Sequence, residues 1–316
     1  MKKVIIKDKR KINYVIDPRI ELLSIIQILA GEIKTAYYHE SEYSNKIFNK
    51  YKQYINHQVV LKFKKYLSEG FYIGNQFILQ YSNNPFLETQ SNDKKCLEFQ
   101  KLLIKFVKDI EFEKFYLENA NYYKKIIENN LNYINVKHNY LSDLKAYYQT
   151  SDITINIIFK LIQSDWGEFV LENNEFNNIC GIIEEKETPI FVDDNNERSL
   201  IFHECSHFFV TNSFKNENEF FVETEDIFFK VDENSVARLN YPYYNMYFEE
   251  SIVRSITLCL SFKNGYITEQ DYLKAIKDGI DLGFIFTKDF CDITLNNTYL
   301  KAISKIKRFI KNYNKI

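Results

Sequence analysis

The run Leu200-Ile-Phe-His-Glu-Cys-Ser-His-Phe-Phe-Val210 constrains this chain more than any other stretch. It carries the pattern H-E-x-x-H in His203, Glu204 and His207. On a helix, residues four apart share a face, so His203 and His207 point the same way. Two imidazoles so placed fill two corners of a tetrahedral zinc site. Glu204 is turned to their flank, where it can take a proton from an attacking water. Leu200, Ile201 and Phe202 precede the motif, and Phe208, Phe209 and Val210 follow it. A helix apolar nearly all round is expected to be buried. Ionisable groups inside it are costly without a partner, and a metal ion is one. The competing reading is a pair of core histidines satisfied by hydrogen bonds.

Composition removes several alternatives. With 316 residues, 45% hydrophobic, the chain has ample material for a core and room for one large domain or two modest ones. A formal charge of −2 and the lack of a long basic run leave no nucleic-acid footprint. The five cysteines, Cys96, Cys180, Cys205, Cys259 and Cys291, are odd in number, far apart and form no C-x-x-C pair. That argues against a disulfide framework and against a cysteine-ligated zinc. Cys205 reads as a small buried hydrophobe. No stretch has the length and apolarity of a membrane span or a signal core, so no membrane partner is expected. The chain as given reads as cytoplasmic; one with its signal removed, secreted or periplasmic, would look the same.

Along the chain, Val4–Lys7 and Ile12–Ile16 read as a hairpin around Asp8-Lys9-Arg10. Asp17 then suits an N-cap, Pro18 a first helical position and Glu21 a first turn. These caps explain Asp17 and Glu21 without chemistry. From Gly31 to about Gln149 the pattern is helical, with breaks near Gly70, Asn83-Asn84-Pro85 and Ser91-Asn92-Asp93. His39, His57 and His138 fall there without partners at ligand spacing and read as ordinary histidines. After Gln149, the stretches 153–162, 168–171, 178–183 and 189–193 read as strands of a small, mainly antiparallel sheet. Gly181 inside one of them marks either a bulge or the close approach of another backbone, such as a peptide added at a sheet edge. Asp194 and Glu197 form a capping pattern just before the motif run. The expected organisation is an N-terminal hairpin and helical subdomain over 1–150 and a catalytic subdomain over 151–316, in one continuous α+β unit.

A catalytic zinc commonly has three protein ligands and an open position. The nearest downstream carboxylates on a strong helical pattern are Glu249 and Glu250. Glu249 shares its face with Ile252, Val253, Ile256 and Leu260; Glu250 shares its own with Val253, Arg254 and Thr257. Periodicity does not choose between them.

H-E-x-x-H followed some tens of residues later by a helical glutamate resembles the gluzincin group of zinc metallopeptidases. More narrowly, the chain resembles an uncharacterised bacterial family of metallopeptidase-like sequences, a domain of unknown function. That family has a V-D-P-R-x-E-L start, H-E-x-x-H with F-V after it, and E-x-x-V-R. The matching residues are Ile16-Asp-Pro-Arg-Ile-Glu-Leu22, His203–His207 with Phe209-Val210, and Glu250-Ser-Ile-Val-Arg254. Ile16 replaces the valine, and Thr211-Asn212-Ser213 lacks the expected proline, which affects the helix exit and not the ligands. The resemblance implies a zincin-like fold and Glu250 as third ligand.

The expected function is then zinc-dependent hydrolysis of a peptide or protein substrate. His203, His207 and Glu250 would hold Zn²⁺, and Glu204 would act as general base. Arg254, one turn past Glu250, would act as an oxyanion donor or orient Glu250. Tyr241, Tyr243, Tyr244 and Tyr247 are further candidate donors. The alternative is a zinc-stabilised binding module without turnover, against which the presence of Glu204 speaks.

Overall fold

The hairpin and the cap at the chain start form as expected. In the computed structural model, β1 (Val4–Lys7) and β2 (Asn13–Ile16) pair antiparallel, Val4 opposite Ile16. The structure describes residues 1–32, 38, 40–89, 91–151, 153–164, 167–172 and 174–313, apart from the side chains of 194–198. His39 and the expected Asp194–Glu197 cap lie outside that set. The chain forms two compact units, each discontinuous in sequence: Met1–Asn135 with Thr154–Asp194, and Val136–Ile153 with Asn195–Ile316. The segment 154–194 therefore groups with the start of the chain, not with the motif as a division at residue 150 would have it.

The reason is strand pairing. In the first unit, β3 (Thr154–Phe159), β4 (Gly167–Glu172) and β5 (Glu175–Cys180) join the hairpin in one sheet of order β1-β2-β3-β5-β4. The β1–β2 and β4–β5 pairs are antiparallel, whereas β2–β3 and β3–β5 are parallel. The sheet is thus mixed, a correction to the mainly antiparallel expectation. A local pattern of β-branched residues carries no sign of direction, and the helical excursion between β2 and β3 is long enough for a parallel crossover. A separate antiparallel pair, β6 (Glu184–Glu185) with β7 (Pro189–Ile190), follows.

Register across the parallel strands is marked by an amide ladder. Asn13, Asn156 and Asn177 are aligned partners on β2, β3 and β5. Asn13 donates to Asn156 at 2.8 Å, and Asn156 to Asn177 at 2.9 Å. Asn156 and Asn177 are buried, so a one-residue slip would leave these amides unpaired. Gly181 follows β5, an interior strand, so no peptide can add there. The approaching backbone is the chain's own: a Cβ on Gly181 would stand 1.6 Å from the Ser164 carbonyl oxygen.

Helices α1 (Pro18–Ala30), α2 (Glu42–Tyr51), α3 (Gln58–Ser68), α4 (Asn75–Ile78), α5 (Lys94–Asp109), α6 (Phe112–Glu118) and α7 (Ala120–Leu131) complete this unit. Asp17 caps α1 by accepting from the Arg19 amide, with Pro18 at the first helical position. The expected breaks appear: Gly70 at φ 74° ends α3, Asn84-Pro85 makes a turn, and Asp93 caps α5. His57 caps α3 and meets Asp109 at 3.1 Å, a structural role.

The second unit is helical: α8 (Tyr140–Tyr148), α9 (Asp194–Phe214), α10 (Asn218–Thr224), α11 (Val236–Asn240), α12 (Tyr244–Lys263), α13 (Glu269–Asp281), α14 (Thr287–Leu295) and α15 (Tyr299–Tyr313). α12 packs on both α13 and α14, and α14 on α15. His138 lies against Tyr266, ring centroids 4.2 Å apart and planes tilted by 34°. Among the described residues no helix is long and apolar enough to cross a membrane. Taken together, the described residues are mixed α and β, mostly helical, with a small five-stranded sheet and a separate two-stranded pair.

Candidate metal centre

The motif helix α9 is two-faced, not buried all round as its apolar neighbours suggested. Ile201, Phe202, Cys205, Ser206 and Val210 face the core, while His203, Glu204, His207 and Phe208 are half-buried. The core face is held from behind. Phe202 stacks on Tyr266 and meets Tyr140 edge-on. Phe209 stacks on Tyr148, ring centroids 3.8 Å apart. The Tyr148 hydroxyl donates to Ser206 Oγ at 2.6 Å, and that hydroxyl donates to the Phe202 carbonyl. The two positions between Glu204 and His207 thus act as anchors, leaving the histidines on the open side. Cys205 is a buried thiol, as expected.

α12 brings the carboxylates. Ser251 and Ser255 satisfy their hydroxyls on carbonyls four residues back, so the inward face of the helix carries no unmet polar group there. Glu250 is 2% exposed. His203 Nε2 and His207 Nε2 lie 3.3 Å apart, His203 Nε2 is 3.6 Å from Glu250 Oε1, and His207 Nε2 is 3.5 Å from Glu250 Oε2. Around an ion with bonds of about 2.0–2.1 Å, tetrahedral donors stand about 3.3–3.4 Å apart. The two imidazole nitrogens stand at the spacing of one tetrahedral edge, and the Glu250 carboxylate faces both, one oxygen toward each; one donor atom from each of the three side chains lies within 4.8 Å of the other two. They form a group able to hold a metal ion, whose identity the spacing leaves open.

Glu249 plays another part. Its Oε1 lies 3.3 Å from His207 Nδ1, on the far side of the ring from the donor cluster, and also accepts from the Thr211 hydroxyl. A histidine whose Nδ1–H is taken by a carboxylate presents Nε2 as its free lone pair. Thr211 was not singled out in the sequence. Its signal is the four-residue step from His207, which puts it on the motif's own face.

Arg254 donates from Nε to Glu250 Oε1 at 2.6 Å and lies over the Phe284 ring at 4.5 Å. The Tyr241 hydroxyl stands close to both Glu250 and Arg254. The other tyrosines have different positions: Tyr244 donates to Thr224, Tyr247 bridges the Gly283 carbonyl and the Ile285 amide, and Tyr243 is exposed. Glu223, a more distant carboxylate, pairs with Lys311.

The electrostatics suit a cation. Burial pushes His203 down to about 4 against the pull of Glu250, with His207 and Arg254 adding to the fall, so it is neutral and free to ligate. Burial would also lower His207, but the Glu249 hydrogen bond and the charges of Glu204, Glu250 and Glu249 hold it above its ordinary value. Burial would raise Glu250, yet His203, Arg254 and His207 keep its carboxyl below the usual range. A neutral His203 and an ionised Glu250 are in the states that bind metal, whereas His207 would have to give up its proton to an arriving cation.

A family model described as a domain of unknown function, DUF4932, matches residues 86–316. No curated protein and no solved structure matches the chain. The match takes in the motif helix, Glu249, Glu250 and Arg254, and leaves Ile16–Leu22 outside it. It spans well over half of the sequence, and the chain therefore belongs to the DUF4932 family.

Proposed function

We propose that this protein is a zinc-dependent peptide hydrolase with a zincin-like arrangement of the gluzincin type. The observation that carries this reading is the cluster of His203 and His207, on an H-E-x-x-H helix, with Glu250 of α12, one donor atom from each lying within 4.8 Å of the others. Two imidazoles and one carboxylate leave a corner for water or substrate, whereas structural zinc sites close with four protein ligands. Among the described residues, no fourth histidine, cysteine or carboxylate joins the group. That favours turnover over a zinc-stabilised binding module.

A divalent ion bound there would polarise the scissile carbonyl and bring the pKa of a water from about 15.7 toward about 7. The rest falls to the chain's own residues. Glu204, next to His203 on the half-buried face, takes the water's proton and passes it to the leaving amine. Glu249 fixes the tautomer of His207, and Arg254 fixes the carboxylate of Glu250. Arg254 and Tyr241 are the donors beside Glu250 that a developing oxyanion needs.

The test is a peptide-library screen with zinc-loaded protein, chelated protein and the Glu204→Gln variant. Wild type should cleave, chelation should abolish cleavage and added zinc should restore it. Glu204→Gln should keep the metal and the fold, because Gln matches Glu in size and helix propensity, but lose about 10²–10⁴-fold in rate. A wild type that binds zinc yet cleaves no peptide would sink the hydrolase reading and leave the binding module. Cleavage unchanged in Glu204→Gln would put the base elsewhere.

A further inference from the structure

All five cysteines are free and buried, and two of them meet between helices of the second unit. Cys259 lies on α12 and Cys291 on α14, 2% and 0% exposed. Ser255 and Cys259, small and four residues apart, share one face of α12 and let α14 come close. Each sulfur then reaches the other helix. Cys259 Sγ donates to the Cys291 carbonyl at 3.5 Å, and Cys291 Sγ to the Ser255 carbonyl at 3.9 Å. The two thiols are also within hydrogen-bond reach of one another. The third wall is α13, whose Tyr272 hydroxyl stands 3.9 Å from Cys259 Sγ and within reach of Cys291. Ile276 and a rim of partly buried apolar side chains close the cluster.

The surroundings treat the two sulfurs unequally. The hydrogen bond from Cys259 holds the Cys291 thiol below its ordinary value, with burial opposing and Tyr272 assisting. The same bond, with burial added, pushes Cys259 up. Cys291 thus has a thiol and a phenol directed at it, and the thiolate is the nucleophilic form of cysteine. Packing as small hydrophobes explains the burial of both residues, but it does not require that two sulfurs face each other. Cys96 and Cys180, by contrast, direct their thiols to Gln80 Oε1 at 3.2 Å and to the Ile158 carbonyl at 3.6 Å.

We propose that Cys259 and Cys291 form a site of reversible oxidation, which hydrogen peroxide closes to a disulfide between α12 and α14. Cys291 attacks one peroxide oxygen, the O–O bond breaks, and the other oxygen leaves as water, so that Cys291 becomes a sulfenic acid. Cys259 then attacks the Cys291 sulfur, the S–O bond breaks, and the hydroxyl leaves as water with the Cys259 proton. In total the two thiols lose two electrons and two hydrogens, and one peroxide becomes two waters. A small oxidant suits so enclosed a pair. Its cover is α13, mostly exposed apart from residues such as Tyr272 and Ile276 on its inner face. The site does not depend on the hydrolase reading. α12 also carries Glu249 and Glu250, so the bond would tie down the helix that supplies those carboxylates.

The test exposes the folded full chain to hydrogen peroxide, with a chelator present to suppress metal-driven oxidation. Remaining thiols are then capped with N-ethylmaleimide under denaturing conditions and counted by intact mass. Oxidised wild type should take up two fewer maleimides than the five free thiols of the reduced chain. A digest should contain the peptide pair joined through Cys259 and Cys291, and dithiothreitol should restore both thiols. Cys291 should be consumed about tenfold faster than Cys96, Cys180 or Cys205, the factor expected of one hydrogen bond to a charged sulfur. Cys259→Ala should stop at a Cys291 sulfenic acid, trapped by dimedone, and Cys291→Ala should leave Cys259 about tenfold slower to react. Circular dichroism checks the fold of both variants, and the wild-type count needs neither. Five free thiols after a dose that fully oxidises free cysteine overturn the proposal. So does a disulfide that forms only in urea-unfolded chain, one between other cysteines, or one between two chains. A dimedone adduct on Cys259 in Cys291→Ala, formed at the wild-type rate, overturns the order of attack.

Discussion

Glu249 Oε1 sits 3.3 Å from His207 Nδ1, while its neighbour Glu250 reaches His207 Nε2 at 3.5 Å. Adjacent carboxylates on one helix thus grip opposite nitrogens of the same ring. One orients the imidazole, and the other stands beside the nitrogen left to bind an ion. The two should separate by mutation. Glu250→Ala should nearly abolish metal binding. Glu249→Ala should weaken it about 10–100-fold, the usual cost of losing a group that orients a ligand. Glu249→Gln should recover part of that, since its amide oxygen still accepts from Nδ1. Competition titration with a fluorescent chelator reads all three. Equal loss in Glu249→Ala and Glu250→Ala would undo this division of roles.

Metal content should follow the two histidines. Protein purified and loaded with zinc should carry about one ion per chain. His203→Ala or His207→Ala should release it at micromolar protein, as measured by mass spectrometry of the metal. Full retention by both single variants would mean the ion is held elsewhere.

Behind the motif, Tyr148 and Ser206 make a testable asymmetry. Ser206→Ala strands a buried tyrosine hydroxyl at a cost of about 1–3 kcal/mol. Tyr148→Phe removes the donor and leaves Ser206 donating to Phe202, for about 1 kcal/mol. The double variant should be less destabilised than the sum of the two. Urea unfolding of the four proteins measures this, and strict additivity would mean the hydrogen bond contributes nothing.

Local signals were legible, and relationships between distant elements were not. Asp17, Pro18, Gly70 and Asp93 act where they stand because caps and turns depend on immediate neighbours. The spacing of His203 and His207 is a helix property, so their shared face could be read directly. The choice between Glu249 and Glu250 depends on how α12 is rotated against α9, which the period alone does not encode. The resemblance to a metallopeptidase-like family favoured Glu250, the one that joins the donor cluster. Gly181 left a bulge and a close backbone both open, and the backbone it meets, at Ser164, is reached only because β4 and β5 fold back beside β3. The parallel pairing of β2 with β3 joins residues some 140 apart in sequence, as Asn13 and Asn156 show, beyond any local pattern. Glu21 was read as a first-turn carboxylate, and that reading missed its burial.

Glu21 gives the chain a pH dependence of a defined sign. It is 1% exposed, its Oε2 accepts from the hydroxyls of Tyr43 and Tyr123, and its Oε1 has no hydrogen-bond partner among the described residues. Burial raises its carboxyl from 4.5 to about 7, although both tyrosines and the charge of Lys160 pull it back. The folded protein therefore holds this proton over a range in which the unfolded chain has released it. Stability from this group is fully present below pH 4.5 and is lost as pH rises through about 7. Between pH 5 and pH 7.5 the loss should be about 2 kcal/mol. Lys160 is pushed down to about 8 by burial, against the pull of Glu168, Glu21 and Glu32, so its own titration falls mainly above this window. Glu21→Gln removes the titrating group and keeps the shape. The measurement is the difference in unfolding free energy between wild type and Glu21→Gln at the two pH values, which cancels groups common to both. Wild type should lose ground to the variant as pH rises. A difference that stays flat, or moves the other way, would show that Glu21 is ionised in the fold throughout.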